Sequence, residues 1–294
     1  VNPDPDSIGS ALALSNLFYE NKIKHKVFNV SADLPQNLDF IPRFEKITDQ
    51  LPAFFDLAIS LDCGTYKRLG FELDPSIPLI NFDHHKSNNN FGAVNIVDPM
   101  KSSTAELVFE FFKHNGLYIT KNSATALYVG IYDDTLAFSL GRCDELTFEK
   151  INFLVECGAS PSEIANKLLR RDSLAKYRII PKVLDSLELY KEGEVASIIA
   201  KEEWFKQTGA HNRDCEDALD MIMSIAVVRI AFFVRIVNGE SRVSLRSKGK
   251  IDVSKIAAEF AGGGHFNASG CTIETLDVEK AKEIVLKEIF EIYK

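Results

Sequence analysis

The chain has 294 residues, of which 46% are hydrophobic, and it carries a formal net charge of −8 at pH 7. These values predict a globular protein with one large domain or two of ordinary size, and they argue against a protein that tracks a long phosphate backbone. The five cysteines include no C-x-x-C pair, and no apolar stretch reaches the roughly 20 residues of a membrane helix. We therefore expect a cytoplasmic protein with reduced thiols and neither a disulfide framework nor a thiolate zinc site.

Residues 2–6 (Asn-Pro-Asp-Pro-Asp) predict a loop that leads into a helix, with Asp6 or Ser7 as the N-cap. The helix would carry one face formed by Ile8, Ala11, Leu12, Ser15 and Phe18. A strand should precede such a loop, so we expect a central strand of the sheet to lie before Val1. Taken alone, the motif is also typical of a turn followed by a helix cap.

Strand-like and helix-like segments then alternate along the chain. The predicted strands cover residues 25–31, 54–61 and 79–82, and the predicted helices cover residues 102–114 and 122–130. Helical patterns dominate residues 146–190, with a break at residues 158–161. This βαβ pattern predicts an α/β domain with a mostly parallel, doubly wound sheet.

The pattern changes after residue 192. Residues 194–200 are strand-like, residues 215–225 are helix-like, and residues 227–246 predict a hairpin with a type I′ turn at Asn238-Gly239. A charged helix is expected over residues 278–293. We therefore predict a first domain over residues 1–171, a helical interdomain connector over residues 172–191 and a smaller C-terminal α/β domain over residues 192–294.

Acidic and imidazole residues lie at the ends of hydrophobic segments in the first domain. They are Asp4 and Asp6, Asp62 after residues 58–61, Asp83-His84-His85 after residues 78–82, and Asp134 after residues 128–132. Because the carboxyl ends of parallel strands meet in one crevice, we expect these groups to converge. An extended backbone would point Asp4 and Asp6 to opposite sides, so each could serve a different ion while Asp62 bridges both.

This arrangement predicts a two-metal centre in which His84 and Asp134 complete the shell of the second ion. Mixed carboxylate and imidazole ligation favours manganese over magnesium, which prefers carboxylates and water, and over structural zinc, which prefers thiolates. A single Asp after a strand is also an ordinary strand terminator, and a His pair can be structural. The hypothesis therefore depends on the groups occurring together and in this order.

The second domain contains Gly-Gly-Gly-His-Phe-Asn-Ala-Ser-Gly at residues 262–270, after a helix-like segment over residues 253–260. Three consecutive glycines are poor helix and strand formers, and they allow backbone N–H groups to approach a phosphate closely. Arg246, beside Ser247 at a predicted strand end, has the side chain best shaped to bind a phosphate bidentately. A flexible connection and a surface ion pair are the alternative interpretations.

In this order the motifs resemble those of the DHH phosphoesterases. The matching segments of the first domain are residues 2–10, Leu61-Asp62, Asp83-His84-His85 and residues 130–135. Residues 244–247 and 262–265 resemble the DHH-associated C-terminal domain. The resemblance covers nearly the whole chain. The layout is similar to the stand-alone NrnA type, a bifunctional oligoribonuclease and pAp phosphatase, rather than to RecJ or to membrane-bound cyclic-dinucleotide phosphodiesterases.

The resemblance implies a role for each matching residue. Asp4 would bind the first manganese ion and Asp6 the second, Asp62 would bridge them, and His84 and Asp134, preferred over Asp133, would complete the second site. His85 would contact the scissile phosphate. The substrate would be held across a cleft between the domains by Arg246, Ser247, Gly262, Gly263, Gly264 and His265. A further metal-binding histidine is expected immediately before Val1.

We therefore predict an enzyme that uses two Mn²⁺ ions, with Mg²⁺ or another divalent ion as the alternative, to activate water for phosphoester hydrolysis. The expected substrates are short RNA, cleaved to mononucleotides, and 3′-phosphoadenosine 5′-phosphate (pAp), cleaved to AMP, but not long duplexes. The resemblance makes a homodimer reasonable. The alternatives are a phosphodiesterase for cyclic or linear dinucleotides, a RecJ-like single-strand exonuclease, and a nucleotide-binding regulator without activity.

Overall fold

The computed structural model describes residues 3–31, 34–139, 143–237 and 239–293. The chain divides into two compact units, Val1–Arg171 and Asp172–Lys294. Among the described residues, no helix combines the length and the apolar character needed to cross a bilayer. The prediction of a mixed α/β protein with an N-terminal parallel sheet and a separate C-terminal α/β domain is confirmed.

Every strand pair described in the first unit is parallel. Its strands are β1 (Val27–Phe28), β2 (Ile47–Thr48), β3 (Ala58–Leu61), β4 (Leu79–Asp83) and β5 (Val94–Val97). Its helices are α1 (Pro5–Glu20), α2 (Thr104–His114), α3 (Lys121–Asp134), α4 (Glu145–Glu156) and α5 (Pro161–Leu169). The strands form a three-stranded sheet in the order β3-β4-β5 and a separate pair, β1-β2. The parallel sheet is therefore divided into two pieces.

The start of helix α1 differs from the prediction that Asp6 or Ser7 is its N-cap. Asp4 is the N-cap, because its carboxylate accepts a hydrogen bond from the N–H of Ser7 at 2.9 Å and the Ser7 hydroxyl accepts one from the N–H of Asp4 at 3.1 Å. Pro5 occupies the first helical turn, where its missing N–H costs no hydrogen bond. Asp6 is therefore helical, and the expectation that an extended backbone separates Asp4 from Asp6 is wrong.

The helix predicted over residues 122–130 is confirmed, but the grouping of the apolar residues 128–132 with the strands that end before the site's acidic residues is wrong. Residues 128–132 belong to helix α3, whose last residue is Asp134. The buried residues Leu127 and Ile131 recur at helical spacing, and Thr120 caps the helix by accepting a hydrogen bond from the N–H of Ser123. A short continuous apolar run fits either structure, so periodicity alone did not decide between them.

Helices α1 and α3 cross in close contact at two glycines. A Cβ atom on Gly9 would lie 2.5 Å from the carbonyl oxygen of Ala126, and a Cβ atom on Gly130 would lie 2.7 Å from the Cβ of Ala105 and from Oδ1 of Asp6. These distances are shorter than packed atoms tolerate, so the backbones approach this closely because both residues lack side chains. The crossing lies within the core of the first unit.

The turn after α3 has a left-handed backbone at three consecutive residues. Leu136, Ala137 and Phe138 have φ angles of 47°, 56° and 65°. The N–H of Phe138 donates to Oγ1 of Thr135 at 3.1 Å, and the Phe138 ring packs edge-to-face against Tyr132 with ring centroids 5.5 Å apart. Because L-residues disfavour this conformation, the packing of Phe138 must hold a strained segment in place.

We expect the substitution Ala137→Gly to raise the free energy of unfolding by about 0.5–1 kcal/mol. A left-handed backbone costs a non-glycine residue roughly 1–2 kcal/mol, and the greater freedom of glycine in the unfolded chain offsets about half of that gain. The Ala137 side chain is exposed, so the change removes little packing. Denaturant unfolding measures the effect, with Ala11→Gly inside α1 as the control that should lose about 1 kcal/mol. Equal destabilisation of both variants would contradict the strain.

The second unit contains one six-stranded sheet in the order β10-β11-β9-β8-β7-β6. The strands are β6 (Glu188–Tyr190), β7 (Val195–Ala200), β8 (Ile230–Val237), β9 (Glu240–Ser247), β10 (Gly263–His265) and β11 (Ala268–Ile273). The helices are α6 (Leu174–Asp185), α7 (Glu202–Thr208), α8 (Asp217–Met223), α9 (Val253–Glu259) and α10 (Val278–Ile292). Strands β7 and β8 are parallel, and the other described pairs in this sheet are antiparallel.

Helices cover both faces of this sheet. Along β8, Phe232 and Val234 join a core cluster with α9 and α10, whereas Ala231 and Phe233 join a cluster with α6 and α8. The predicted hairpin is confirmed, since β8 and β9 pair with Val237 opposite Glu240. Asn238 lies outside the described residues, so its turn type stays a prediction.

Two of the three consecutive glycines lie in a strand despite the low strand propensity of glycine. Residues 263–265 form β10, an edge strand paired with β11. A Cβ atom on Gly262 would lie 2.3 Å from the carbonyl oxygen of Gly270, and one on Gly264 would lie 2.6 Å from that of Ala268. Strand pairing overrides the low strand propensity of glycine here, because only a backbone without side chains can approach β11 this closely.

Candidate metal centre

Two neighbouring parallel strands carry four of the site's polar side chains at their carboxyl ends. Asp62 directly follows β3, while Asp83 ends β4 and precedes His84 and His85. The N–H of Asp62 donates to the carbonyl oxygen of Phe82 at 2.9 Å, which continues the ladder between β3 and β4. Asp62 has a φ angle of 57°, in the left-handed region that aspartate tolerates better than most residues. The sheet thus places these groups side by side.

The crossing of α1 and α3 adds two further carboxylates. Asp6 lies in the first turn of α1 and is 1% exposed, and Asp134 is the last residue of α3. Two overlapping groups result, and in each the candidate ligand atoms lie within 4.8 Å of one another. The first group is Asp62, His84 and His85, and the second is Asp6, His84 and Asp134.

Asp4 is not a member of either group. Its carboxylate caps α1 through the hydrogen bond from Ser7. It nevertheless lies close enough to influence the centre, since its negative charge contributes to raising the pKa values of Asp6 and Asp62. Its role as a ligand of a first metal ion stays a prediction.

The orientation of His84 suits a metal ligand. Its Nδ1 lies 3.3 Å from the carbonyl oxygen of Lys101, which can only accept, so Nδ1 carries the proton and the lone pair of the neutral ring is on Nε2. Nε2 lies 3.1 Å from Oδ2 of Asp134 and 3.7 Å from Oδ1 of Asp62. Three electron-pair donors therefore face one another, and a cation between them would relieve their repulsion.

His85 is held differently. Its Nδ1 lies 2.6 Å from Oδ1 of Asp83, whose Oδ2 accepts a hydrogen bond from Asn88 at 2.5 Å. Burial favours a raised pKa for Asp83, but the hydrogen bonds from His85 and Asn88 outweigh it and lower the pKa. Burial likewise opposes protonation of His85, but the hydrogen bond that His85 donates to Asp83 and the charges of Asp62 and Asp83 raise its pKa. His85 is therefore suited to donate to an anion as a cationic imidazolium.

The centre concentrates negative charge in a buried place. Burial raises the pKa of Asp6 well above its ordinary value, and Asp134 and Asp4 add to the effect. Burial also raises the pKa of Asp62, with Asp4 and Asp6 as the next causes. Ionised carboxylates in such a place require compensating positive charge. Carboxylate oxygens and imidazole nitrogens are ligands for divalent cations, so the donor set fits a divalent metal.

Comparison with known proteins identifies the family. Residues 1–131 match the DHH family, N-terminal domain, and residues 194–293 match the DHHA1 domain. The chain is 30% identical over 295 residues to the bifunctional oligoribonuclease and PAP phosphatase NrnA of Thermus thermophilus, covering 99% of this chain and 87% of that protein. The chain belongs to the DHH family. It is a phosphoesterase, as the sequence motifs predicted.

Two other similarities place this DHH phosphoesterase among its relatives. The crystal structure of an exopolyphosphatase-related protein from Bacteroides fragilis matches with a TM-score of 0.90 and 28% identity, covering 99% of this chain and 89% of that chain. The cyclic-di-AMP phosphodiesterase PdeA of Listeria monocytogenes is 27% identical over 228 residues, covering 76% of this chain and 34% of that protein.

The DHHA1 domain brings its candidate residues together around Ala268. In the strand register Ala268 of β11 lies opposite Arg246 of β9 on one side and opposite His265 of β10 on the other. Nε of Arg246 lies 3.6 Å from Oδ1 of Asp220, and the Arg246 side chain is 38% exposed. Arg246 is therefore accessible to an anion from solvent.

Ser247 has a different environment from Arg246. It is 9% exposed, its hydroxyl donates to the carbonyl oxygen of Ile251 at 2.6 Å, and it accepts a hydrogen bond from Asn267 at 2.9 Å. These contacts connect the segments before and after α9, so they give Ser247 a structural role. A direct contact between Ser247 and substrate stays a prediction.

Three residues support the DHH centre through contacts that were not predicted from the sequence. Asp83 and Asn88 orient His85, and Thr104 contacts two of the candidate ligands. The polar run Ser102-Ser103-Thr104 before an amphipathic helix was a signal for an N-cap, and Ser103 is that cap. The tertiary contacts of Thr104 span 42 and 98 residues along the chain, so no local pattern could reveal them.

Proposed function

We propose that this DHH phosphoesterase is a manganese-dependent enzyme that hydrolyses short oligoribonucleotides to mononucleotides and pAp to AMP. The observation that carries the proposal is the convergence of Asp6, Asp62 and Asp134 on His84, in a chain aligned over nearly its whole length with a bifunctional oligoribonuclease and PAP phosphatase. A cytoplasmic location and a homodimeric state are parts of the same proposal.

In this proposal Asp6, Asp62, His84 and Asp134 hold the cations, and Asp4 contributes to the first site. Divalent cations, when bound, lower the pKa of a water nucleophile and neutralise charge on the phosphoryl group. The imidazole of His84 among carboxylates favours Mn²⁺ over Mg²⁺. His85, held by Asp83, donates a hydrogen bond to a phosphoryl oxygen and stabilises the charge that develops there.

We propose that the DHHA1 domain binds the phosphate of the substrate through Arg246, with His265 and the backbone of Gly262, Gly263 and Gly264 beside it. The exposure of the Arg246 side chain supports this role. The strand register supports it too, because Arg246 on β9 and His265 on β10 both lie opposite Ala268 of β11. A planar guanidinium can bind two phosphate oxygens at once, which fixes both position and orientation.

We expect Arg246→Ala to raise KM for pAp by about 10- to 100-fold, because a charge-assisted hydrogen bond to phosphate contributes roughly 1.5–3 kcal/mol. Steady-state kinetics on pAp and on a dinucleotide measure the effect. Arg242→Ala is the matched control, since Arg242 lies on the same strand and the same face as Arg246, four residues away. An equal change in KM for both variants would show that general charge, and not Arg246, attracts the substrate.

A second candidate substrate is a cyclic dinucleotide. The similarity to a cyclic-di-AMP phosphodiesterase favours it, although this chain covers 34% of that protein. One substrate panel separates the candidates: pAp, a diribonucleotide, a pentaribonucleotide, a much longer single-stranded RNA or DNA, and cyclic di-AMP, each with Mn²⁺.

The proposed function predicts the highest kcat/KM for pAp and the shortest RNAs. Preferential cleavage of cyclic di-AMP would support the second candidate, and processive cleavage of long single strands would support a RecJ-like exonuclease. Tight binding of pAp without turnover of any substrate would indicate a nucleotide-binding regulator.

A further inference from the structure

Three candidate metal ligands are contacted by one short segment, residues 101–105, at the start of α2. The carbonyl oxygen of Lys101 faces Nδ1 of His84 at 3.3 Å. The backbone N–H groups of Thr104 and Ala105 donate to the two carboxylate oxygens of Asp6 at 2.7 and 2.9 Å. The hydroxyl of Thr104 donates to Oδ1 of Asp62 at 3.0 Å. The segment thus links side chains that come from α1, from β3 and from the end of β4.

We propose that Thr104 is a positioning residue that sets the metal affinity of the centre by holding Asp6 and Asp62 at a fixed separation. Thr104 donates to both carboxylates, one through its backbone N–H and the other through its hydroxyl. Asp6 is 1% exposed and the Asp62 side chain is 5% exposed, so little water is available to replace these donors. Thr104 is itself fully buried, and its β-branched side chain restricts the direction in which the hydroxyl points.

A buried network fixes the segment from its other side. Glu106 is 2% exposed, and its Oε2 accepts a hydrogen bond from the N–H of Ser102 at 2.9 Å. Its Oε1 accepts hydrogen bonds from Thr147 at 2.8 Å and from Lys150 at 3.3 Å, which tie α2 to α4. The hydroxyl of Ser103 in turn accepts a hydrogen bond from the N–H of Glu106 at 3.2 Å. The segment that donates to Asp6 and Asp62 is therefore held in place by buried hydrogen bonds.

The proposal rests on the metal centre of the proposed function, but its test measures metal binding directly. Isothermal titration calorimetry with Mn²⁺ compares the wild type with Thr104→Val, which keeps the shape and the N–H but removes the hydroxyl, and with Thr104→Ser, which keeps the hydroxyl. We expect Val to weaken Mn²⁺ binding by about 10- to 100-fold, as lost hydrogen bonds to metal ligands commonly do, and Ser to restore it to within about threefold.

Kinetics on pAp give a second measurement, because a residue with a merely structural role would not make kcat depend on the Mn²⁺ concentration. Because Thr104 does not act on substrate in this proposal, Thr104→Val should leave KM unchanged and lower kcat at limiting Mn²⁺, and excess Mn²⁺ should recover kcat. Thr125→Val is the matched control, since the Thr125 hydroxyl donates to the carbonyl oxygen of Lys121 on α3 at 2.9 Å, away from the ligands. It should leave Mn²⁺ affinity and kcat unchanged.

Should Thr104→Val fail to fold, Thr104→Ala removes the same hydroxyl without added bulk and carries the same expectation. Unchanged Mn²⁺ affinity in a folded Val or Ala variant would overturn the proposal, even if all variants hydrolyse pAp. Mn²⁺ affinity that depends on the hydroxyl would support it. That result would stand even if the wild type hydrolysed none of the tested substrates, in which case only the proposed function would fail.

Discussion

Asp62→Asn is expected to lower kcat for pAp by more than about 1000-fold while the protein still folds. Asparagine keeps the shape of the side chain and an oxygen that can accept the hydrogen bond from Thr104. It removes the negative charge that lies 3.7 Å from Nε2 of His84, in the middle of the proposed metal centre. Loss of cation binding removes several kcal/mol of transition-state stabilisation, and each 1.4 kcal/mol is roughly tenfold in rate.

The same variant should be more stable than the wild type at neutral pH in the presence of a chelator. The pKa of Asp62 is raised in the folded protein. The protonated Asp62 carboxyl therefore adds to the free energy of unfolding below the ordinary aspartate pKa of 3.8, and this addition is lost as pH rises through the pKa of Asp62 in the folded protein. The contribution of Asp62 to the stability of the metal-free wild type therefore falls as pH rises above the ordinary aspartate value. Asp62→Asn removes one of the repelling charges and should flatten this dependence.

Thermal unfolding with a chelator at several pH values and Mn²⁺-dependent hydrolysis of pAp test both parts of the Asp62 prediction. Asp56→Asn is the control, because Asp56 is exposed and lies six residues before Asp62 in the chain. The control should match the wild type in both assays. If Asp62→Asn still hydrolysed pAp, Asp62 would not be part of the metal centre. If the metal-free variant were less stable than the metal-free wild type at neutral pH, the proposed charge repulsion would be contradicted.

Gly130→Ala is expected to lower the free energy of unfolding by about 1 kcal/mol and kcat by about 100-fold. In a helix interior this change normally gains about 1 kcal/mol, but here the new methyl group would lie 2.7 Å from Oδ1 of Asp6 and from the Cβ of Ala105. Overpacking of this kind costs roughly 1–3 kcal/mol, and a displacement of about 1 Å in a catalytic group can cost 100-fold in rate.

Chemical denaturation and steady-state kinetics on pAp measure the two effects of Gly130→Ala. Thr125→Ala on the same helix is the control, because Thr125 lies on the solvent-facing side of α3 and the change should alter stability by less than about 0.5 kcal/mol. If Gly130→Ala proved as stable and as active as the control, the close crossing of α1 and α3 would not position Asp6.

Some of the centre could be predicted from the sequence because its signals are local. Apolar strands followed by Asp62 and by Asp83-His84-His85 place polar groups at the carboxyl ends of parallel strands, and the structure shows these strands as neighbours. The order of the motifs along the chain was enough to indicate the DHH family, which the comparisons confirm.

Other features depended on contacts between distant segments. Asp134 ends a helix rather than a strand, and only the packing of α3 against α1 at Gly9 and Gly130 brings it near Asp6. The strand β10 forms from glycines because β11 pairs with it, against its local propensity. In both cases tertiary packing decided the outcome, and no short-range pattern in the sequence encodes it.

In the proposed function, Asp6, Asp62, His84 and Asp134 form a manganese centre. Anomalous diffraction from crystals grown with Mn²⁺ tests it most directly, since scattering above and below the manganese absorption edge locates the ion and identifies the element. We expect a manganese peak within coordination distance of Nε2 of His84 and of carboxylate oxygens of Asp62 and Asp134. A fully ordered site with no manganese peak among these residues at saturating Mn²⁺ would contradict it.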